Sequence, residues 1–188
     1  MKIQNYFKVA LTLFAFLSAN LVYAQMENAK MVGGAEMYPS KNIIENAVNS
    51  ADHTTLVAAV KAAGLVETLQ GKGPFTVFAP ENSAFEKLPK GTVESLLKEE
   101  NKEQLQAILT YHVLAGKMGS KEIAKAIKKG NGKATLTTVQ GATLTAWMKG
   151  KDLYITDANG GQSKVTIADV FQSNGVIHSV DTVVLPKM

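Results

Sequence analysis

The sequence predicts an α+β fold, helices first and strands after, in a single ordered domain spanning residues 40–187. Three observations carry this. Between Ser40 and about residue 130 the apolar residues recur at helical spacing, interrupted by one strand. From Ala134 onward short β-rich runs alternate with glycine-containing turns. The two regimes do not interleave as βαβ units would, and no internal repeat recurs at a fixed period.

The first well-marked helix has Asp52 as its predicted N-cap. Leu56, Val60 and Ala63 share one side, and Gly64-Leu65 supplies a left-handed stop with its hydrophobic contact. Gly73 to Pro80 reads as a buried strand, because Phe75 to Ala79 mixes aromatic and β-branched residues over a run too short for a helix. Asn82 or Ser83 then caps a short helix carrying Phe85 and Leu88. A further helix opens at Asn101, with Gln104 as capping-box partner and Leu105, Ile108, Leu109 and His112 on one face. The next spans Ser120 to Lys129 and ends at Gly130.

Strands follow at 134–139, 142–148, 153–156, 163–171 and 176–185, separated by Gly141, Lys149-Gly150, Asn159-Gly160-Gly161 and Asn174-Gly175. The last has two largely apolar faces, so it is a central strand, with His178 a buried, hydrogen-bonded imidazole.

Ahead of the domain, Lys2 and Lys8 form a basic region, Val9 to Leu17 an apolar run, and Val22-Tyr23-Ala24 the small-residue pattern that signal peptidase reads. Residues 1–24 are therefore expected to be a signal peptide cleaved after Ala24. The apolar run falls short of the roughly 20 residues a membrane span needs. Residues 25–39, with Gly33-Gly34 and no period, read as a flexible leader.

The chain has no cysteine, so neither a disulfide nor a lipidated thiol is available. No asparagine starts an N-glycosylation acceptor, which together with the missing disulfides favours a bacterial envelope setting. The expected product is exported to the periplasm or the medium without a stable membrane anchor. Two of its 20 basic residues leave with the signal, so the net charge of +4 falls to +2. Every basic residue is lysine, which lacks the planar fork that reads guanine and phosphate; nucleic acid is not an expected partner.

The residues offer no assembled catalytic motif. His53, His112 and His178 are far apart and lack metal-ligand spacing, so no metal or cofactor is expected. Ser83 sits in no nucleophile elbow, and Gly71-Lys72-Gly73-Pro74 lacks P-loop spacing and precedes a strand. Tyr111-His112 reads as a clamp between helix and strand. Lys121, Lys125 and Lys128, with Lys129 and Lys133 beside them, form a stripe opposite Ile123 and Ile127. It is either a solvated helix face or a contact for an anionic surface.

Residues 76–85 (TVFAPENSAF), Tyr111-His112 and residues 174–186 (NGVIHSVDTVVLP) resemble the three signature blocks of the fasciclin domain, in the family's order and spacing. Asn42-Ile43-Ile44 and residues 54–60 (TTLVAAV) are similar to its opening helices. The resemblance covers residues 40–187. It implies a fasciclin-type wedge-like β-sandwich with helices packed along one edge. It also implies a secreted, non-catalytic adhesion or matrix-interaction module that binds a cell-surface protein or polysaccharide. In animal members an Asp-Ile pair and the Tyr-His pair are implicated in integrin binding; the matching positions are Asp169-Val170 and Tyr111-His112. Two other readings stand beside it. One is a periplasmic or secreted small-ligand binder with a pocket of methionines and aromatics. The other is a hydrolase using Ser83, His112 or His178, and Asp181.

Overall fold

A computed structural model describes residues 29–187. The expected signal peptide and its cleavage site lie outside the described residues. Strands are β1 (Lys30–Val32), β2 (Ala35–Met37), β3 (Phe75–Pro80), β4 (Val113–Ala115), β5 (Lys133–Thr137), β6 (Thr143–Lys149), β7 (Asp152–Thr156), β8 (Gln162–Gln172) and β9 (Gly175–Val180). Helices are α1 (Ile43–Ala47), α2 (Thr54–Ala62), α3 (Val66–Gln70), α4 (Asn82–Glu86), α5 (Thr92–Leu96), α6 (Lys102–Tyr111) and α7 (Ser120–Lys129).

The main sheet has seven strands in the order β4-β3-β9-β8-β7-β6-β5. Only β3 and β9, joined by most of the chain between them, run parallel. The other neighbours are antiparallel, and β5 to β9 follow one another as hairpins, as their turn residues require. The two ends of this sheet meet: Leu114 bridges Thr138, and the Val139 N–H donates to the Val113 carbonyl at 2.8 Å. The sheet therefore curls into a barrel-like wedge. β8 makes the bend, because two register shifts between Val165 and Val170 let one strand serve β7 at one end and β9 at the other.

Alternation along β3 divides the interior. Val77 and Ala79 join a core with α1, α2, α3 and α6, built around Ile43, Leu56, Val60, Leu69, Leu105 and Leu109. Phe78 points the other way, into the barrel with Leu114, Leu144, Ile155 and Val180, where Ile123 and Ile127 of α7 close the end.

The structure corrects several expectations. Residues 30–37 of the supposed flexible leader form the β1–β2 hairpin, and Val32 and Met37 are buried in the helical-side core. Strands of three residues carry too little alternation to be read in sequence. Their turn is fixed by Gly33 and Gly34, both left-handed, and a Cβ on Gly33 would lie 2.3 Å from Ser50 Oγ. Asp52 does not cap α2. The Asn82 side-chain carbonyl does, accepting from the Thr55 N–H at 3.0 Å, so Asn82 serves a helix other than its own. Asn101 makes no cap bond either; its side-chain amide donates to the Ser95 carbonyl at 2.8 Å. The capping box lies at Asn42 and Glu45 of α1. Finally β9 stops at Val180 rather than running to Leu185. The Asp181 N–H still donates to the Lys164 carbonyl at 3.1 Å, but the return bond from the Lys164 N–H goes to the Asp181 carboxylate at 2.9 Å, which ends the ladder.

Candidate functional site

His112 ends α6, where its ring is fully enclosed. Nδ1–H donates to the Ile108 carbonyl at 2.8 Å and Nε2 accepts from the Val184 N–H at 3.2 Å, which fixes a neutral Nδ1–H tautomer. Burial drives its pKa down to about 4, against smaller raising effects from the Ile108 bond and Asp157. Tyr111, also buried, donates its hydroxyl to the Thr143 carbonyl at 2.8 Å and accepts from the Ala158 N–H at 3.1 Å. The pair is a clamp in which His112 ties α6 to the C-terminal segment and Tyr111 ties it to β6 and the β7–β8 loop.

His178 on β9 accepts from the Asp169 N–H at Nδ1, 3.3 Å, and Nε2–H donates to the Met118 carbonyl at 2.9 Å. Burial lowers its pKa, with Met118 and Asp169 opposing. Asp169 occupies the β8 bulge in a left-handed conformation, φ 59°. Its carboxylate accepts from the Ser120 N–H at 2.6 Å and from the Ser120 hydroxyl, capping α7 from a distant strand. Burial raises the Asp169 pKa, but the two Ser120 bonds with His178 and Lys30 outweigh it and leave the carboxyl below the ordinary value. Val170 is buried beside Val32, Met37 and Ile177. Tyr111, His112 and Val170 are thus buried and hold the interior together, while Asp169, partly exposed, is engaged at α7.

The third imidazole, His53, lies against Ser50 Oγ at 2.9 Å and Ser179 Oγ at 3.3 Å. The hydrolase reading fails on this geometry. Both nitrogens of His112 and of His178 are engaged, so neither can take a proton from Ser83, which lies on the exposed side of α4. Among the described residues no three His, Asp or Glu side chains gather as a metal site.

Two surface features remain. On α7, Lys121, Lys125, Lys128 and Lys129 are all exposed opposite buried Ile123 and Ile127, with Lys133 following on β5. The ion pairs among the described residues involve Lys87, Lys98, Lys102 and Lys164 and none of these five. Glu122 is the acidic residue sharing the helix. The second feature is an apolar cavity of about 160 Å³ between α1, α2, α3 and the sheet, walled by Ile44, Val57, Val60, Leu65, Phe75 and Ile177. The interior therefore holds a concave apolar cavity, so the small-ligand reading is not removed.

Sequence reasoning missed this cavity, which depends on volumes between elements and leaves no local pattern. It also missed Asn174, buried at the β8–β9 turn. Its carbonyl accepts from the Ile43 N–H at 3.0 Å and its amide donates to the Leu69 and Gly71 carbonyls at 2.8 Å each. The signal was present in Asn174-Gly175, but read only as a turn.

The structure is a barrel-like sheet with helices over one side, buried histidines whose ring nitrogens are hydrogen-bonded, and signature residues turned inward. The sequence profile of the fasciclin domain matches residues 51–186, and the chain belongs to that family. It is 43% identical over 182 residues to Protein sll1483 of Synechocystis, covering 95% of this chain and 94% of that one. It is 34% identical over 145 residues to the immunogenic protein MPB70 of Mycobacterium bovis, covering 74% and 66%. The transforming growth factor-beta-induced protein ig-h3 of Sus scrofa is 36% identical over 132 residues, 70% of this chain but 17% of that one. In structure, a FAS1 domain pair from the insect cell adhesion molecule fasciclin I superposes with a TM-score of 0.70 at 16% identity, covering 83% and 57%. That likeness establishes the shared fold. No helix among the described residues is long and apolar enough to cross a membrane.

Proposed function

We propose that this protein is an exported, non-catalytic adhesion or matrix-interaction module, and that it meets a cell-surface protein or polysaccharide through the lysine face of α7. The single observation behind this is the row Lys121, Lys125, Lys128 and Lys129, exposed and in no ion pair among the described residues. A solvated helix normally intersperses both signs, whereas this row has one acid, Glu122, at its edge. Carboxylated or sulfated polysaccharide, or an acidic protein surface, complements it. The mycobacterial cell surface glycolipoprotein MPB83, 37% identical over 122 residues, supports the reading that the address is outside the cytoplasm. The adhesion molecule sharing the fold supports the role.

The test is retention of the purified protein on envelope fractions and on anionic polysaccharide at about 50 and about 500 mM salt, where the screening length shortens several-fold. Retention should fall with salt and fall again in the Lys125→Glu/Lys128→Glu variant. Retention indifferent to both would remove α7 as the contact.

A further inference from the structure

We propose that the cavity beneath α1, α2 and α3 binds a free single-chain anionic amphiphile, with its alkyl tail inside and its carboxylate at Lys61. This goes beyond the adhesion reading and does not depend on it. The chemistry of the walls selects the tail. Ile44, Val57, Val60, Leu65 and Phe75 line it with hydrocarbon. The two imidazoles that reach it, His53 and His112, have their nitrogens engaged elsewhere. A peptide entering this space would leave its N–H and C=O groups unpartnered, whereas an alkyl chain has none to satisfy. An engineered apolar void of about 150 Å³ stays dry and takes up benzene, so about 160 Å³ is room for a hydrocarbon segment of that bulk.

The mouth selects the head. Among the lining residues, Val48 and Val139 are 48% and 45% exposed and mark where the cavity opens. Lys61 also lines the cavity and is exposed, in the last turn of α2, and takes part in no ion pair among the described residues. An exposed ammonium beside an apolar cavity complements a carboxylate on the end of a chain. A volume of about 160 Å³ admits one chain, which favours a free fatty-acid-like molecule over an acyl chain still seated in a bilayer.

The test is calorimetric titration of the purified full chain with alkyl carboxylates from hexanoate to dodecanoate. Binding should saturate at one site, tighten about fourfold per methylene while the tail lengthens within the cavity, and then level off. Lys61→Ala, an exposed change that leaves the fold intact, should weaken decanoate about two- to fivefold and leave decanol unaffected. Val57→Trp, which fills the half-buried wall, should abolish both with the circular dichroism spectrum retained. Three results would each overturn the proposal: no saturable binding, affinity that climbs without levelling, or equal effects of Lys61→Ala on decanoate and decanol. Stronger binding to anionic phospholipid vesicles than to decanoate would overturn the choice of a free amphiphile.

Discussion

Acidification should destabilise this protein well above the pH at which its carboxylates protonate, and His112 is the group that makes the prediction quantitative. Its pKa falls from 6.5 to about 4 on burial. A depressed folded-state pKa means that the unfolded chain binds the proton first. The stabilisation is therefore complete above pH 6.5 and is lost as pH falls from there to about 4. A tenfold difference in proton affinity between the unfolded and folded chain is worth about 1.4 kcal/mol, so His112 alone accounts for about 3 kcal/mol across that window. The test is urea unfolding of the wild type and His112→Asn at a series of pH values from 7.5 to 4. Asn keeps an amide to face the Ile108 carbonyl, and the variant will be less stable throughout because the Val184 N–H loses its partner. The informative quantity is the slope. The wild type should lose about 3 kcal/mol more than the variant between the two ends. His53 and His178, both also lowered by burial, contribute equally to both proteins and cancel. Asp169 and Asp181, held below the ordinary carboxyl value, lose their contributions only below about pH 3.8, outside the window. Parallel stability curves would refute the reasoning. So would an imidazole proton resonance of His112 that titrates near pH 6.5 in the folded protein.

Three further outcomes follow from the same bonds. Asp169→Asn should cost about 1 kcal/mol, since Asn tolerates the left-handed backbone and keeps one acceptor for Ser120. Asp169→Ala should cost about 2–3 kcal/mol, losing cap and conformation together; equal urea midpoints for the two would deny any role to the φ of 59°. Asn174→Ala orphans the Ile43 N–H and the Leu69 and Gly71 carbonyls, and a melting temperature lowered by roughly 6–12 °C is expected. Tyr111→Phe keeps the ring but removes the bonds to Thr143 and Ala158. A loss of about 1–2 kcal/mol should come with faster hydrogen exchange at the Ala158 amide, and unchanged exchange there would contradict the clamp.

What the sequence made legible is what local chemistry decides. The turns at Gly141, Gly150, Gly160 and Asn174-Gly175 fall between β5 and β9 because hairpin residues impose their geometry wherever they sit. The bounds of α7 match because opposed lysines and isoleucines leave one way to lie on a core. Caps failed wherever the acceptor is distant in sequence. Asn82 caps α2 from 27 positions further on, and Asp169 caps α7 from 49. Spacing rules that look three residues ahead have no access to such bonds. The hairpin at 30–37 was illegible for a different reason: its burial depends on Val170 and Ile177, which no local window contains.

The inward orientation of the signature residues carries a consequence for recognition. Asp169, His178 and Ser120 form one chain of bonds joining β8, β9 and α7, and His112 joins α6 to Val184. Withdrawing any of these groups to meet a partner would leave its counterpart buried and unpaired, a cost of about 1–3 kcal/mol per group before contact begins. Specificity is served better by side chains that the fold does not use. Lys121, Lys125 and Lys128 on α7 meet that condition, and so does Lys61 beside the cavity. The α7 row rests on the barrel-side core and the cavity on the helical-side core. Two surfaces supported by different cores can vary in sequence without disturbing each other or the shared signature blocks. Relatives of one fold can in this way acquire different partners, with the signature blocks preserving the scaffold and leaving the choice of partner to the residues around it.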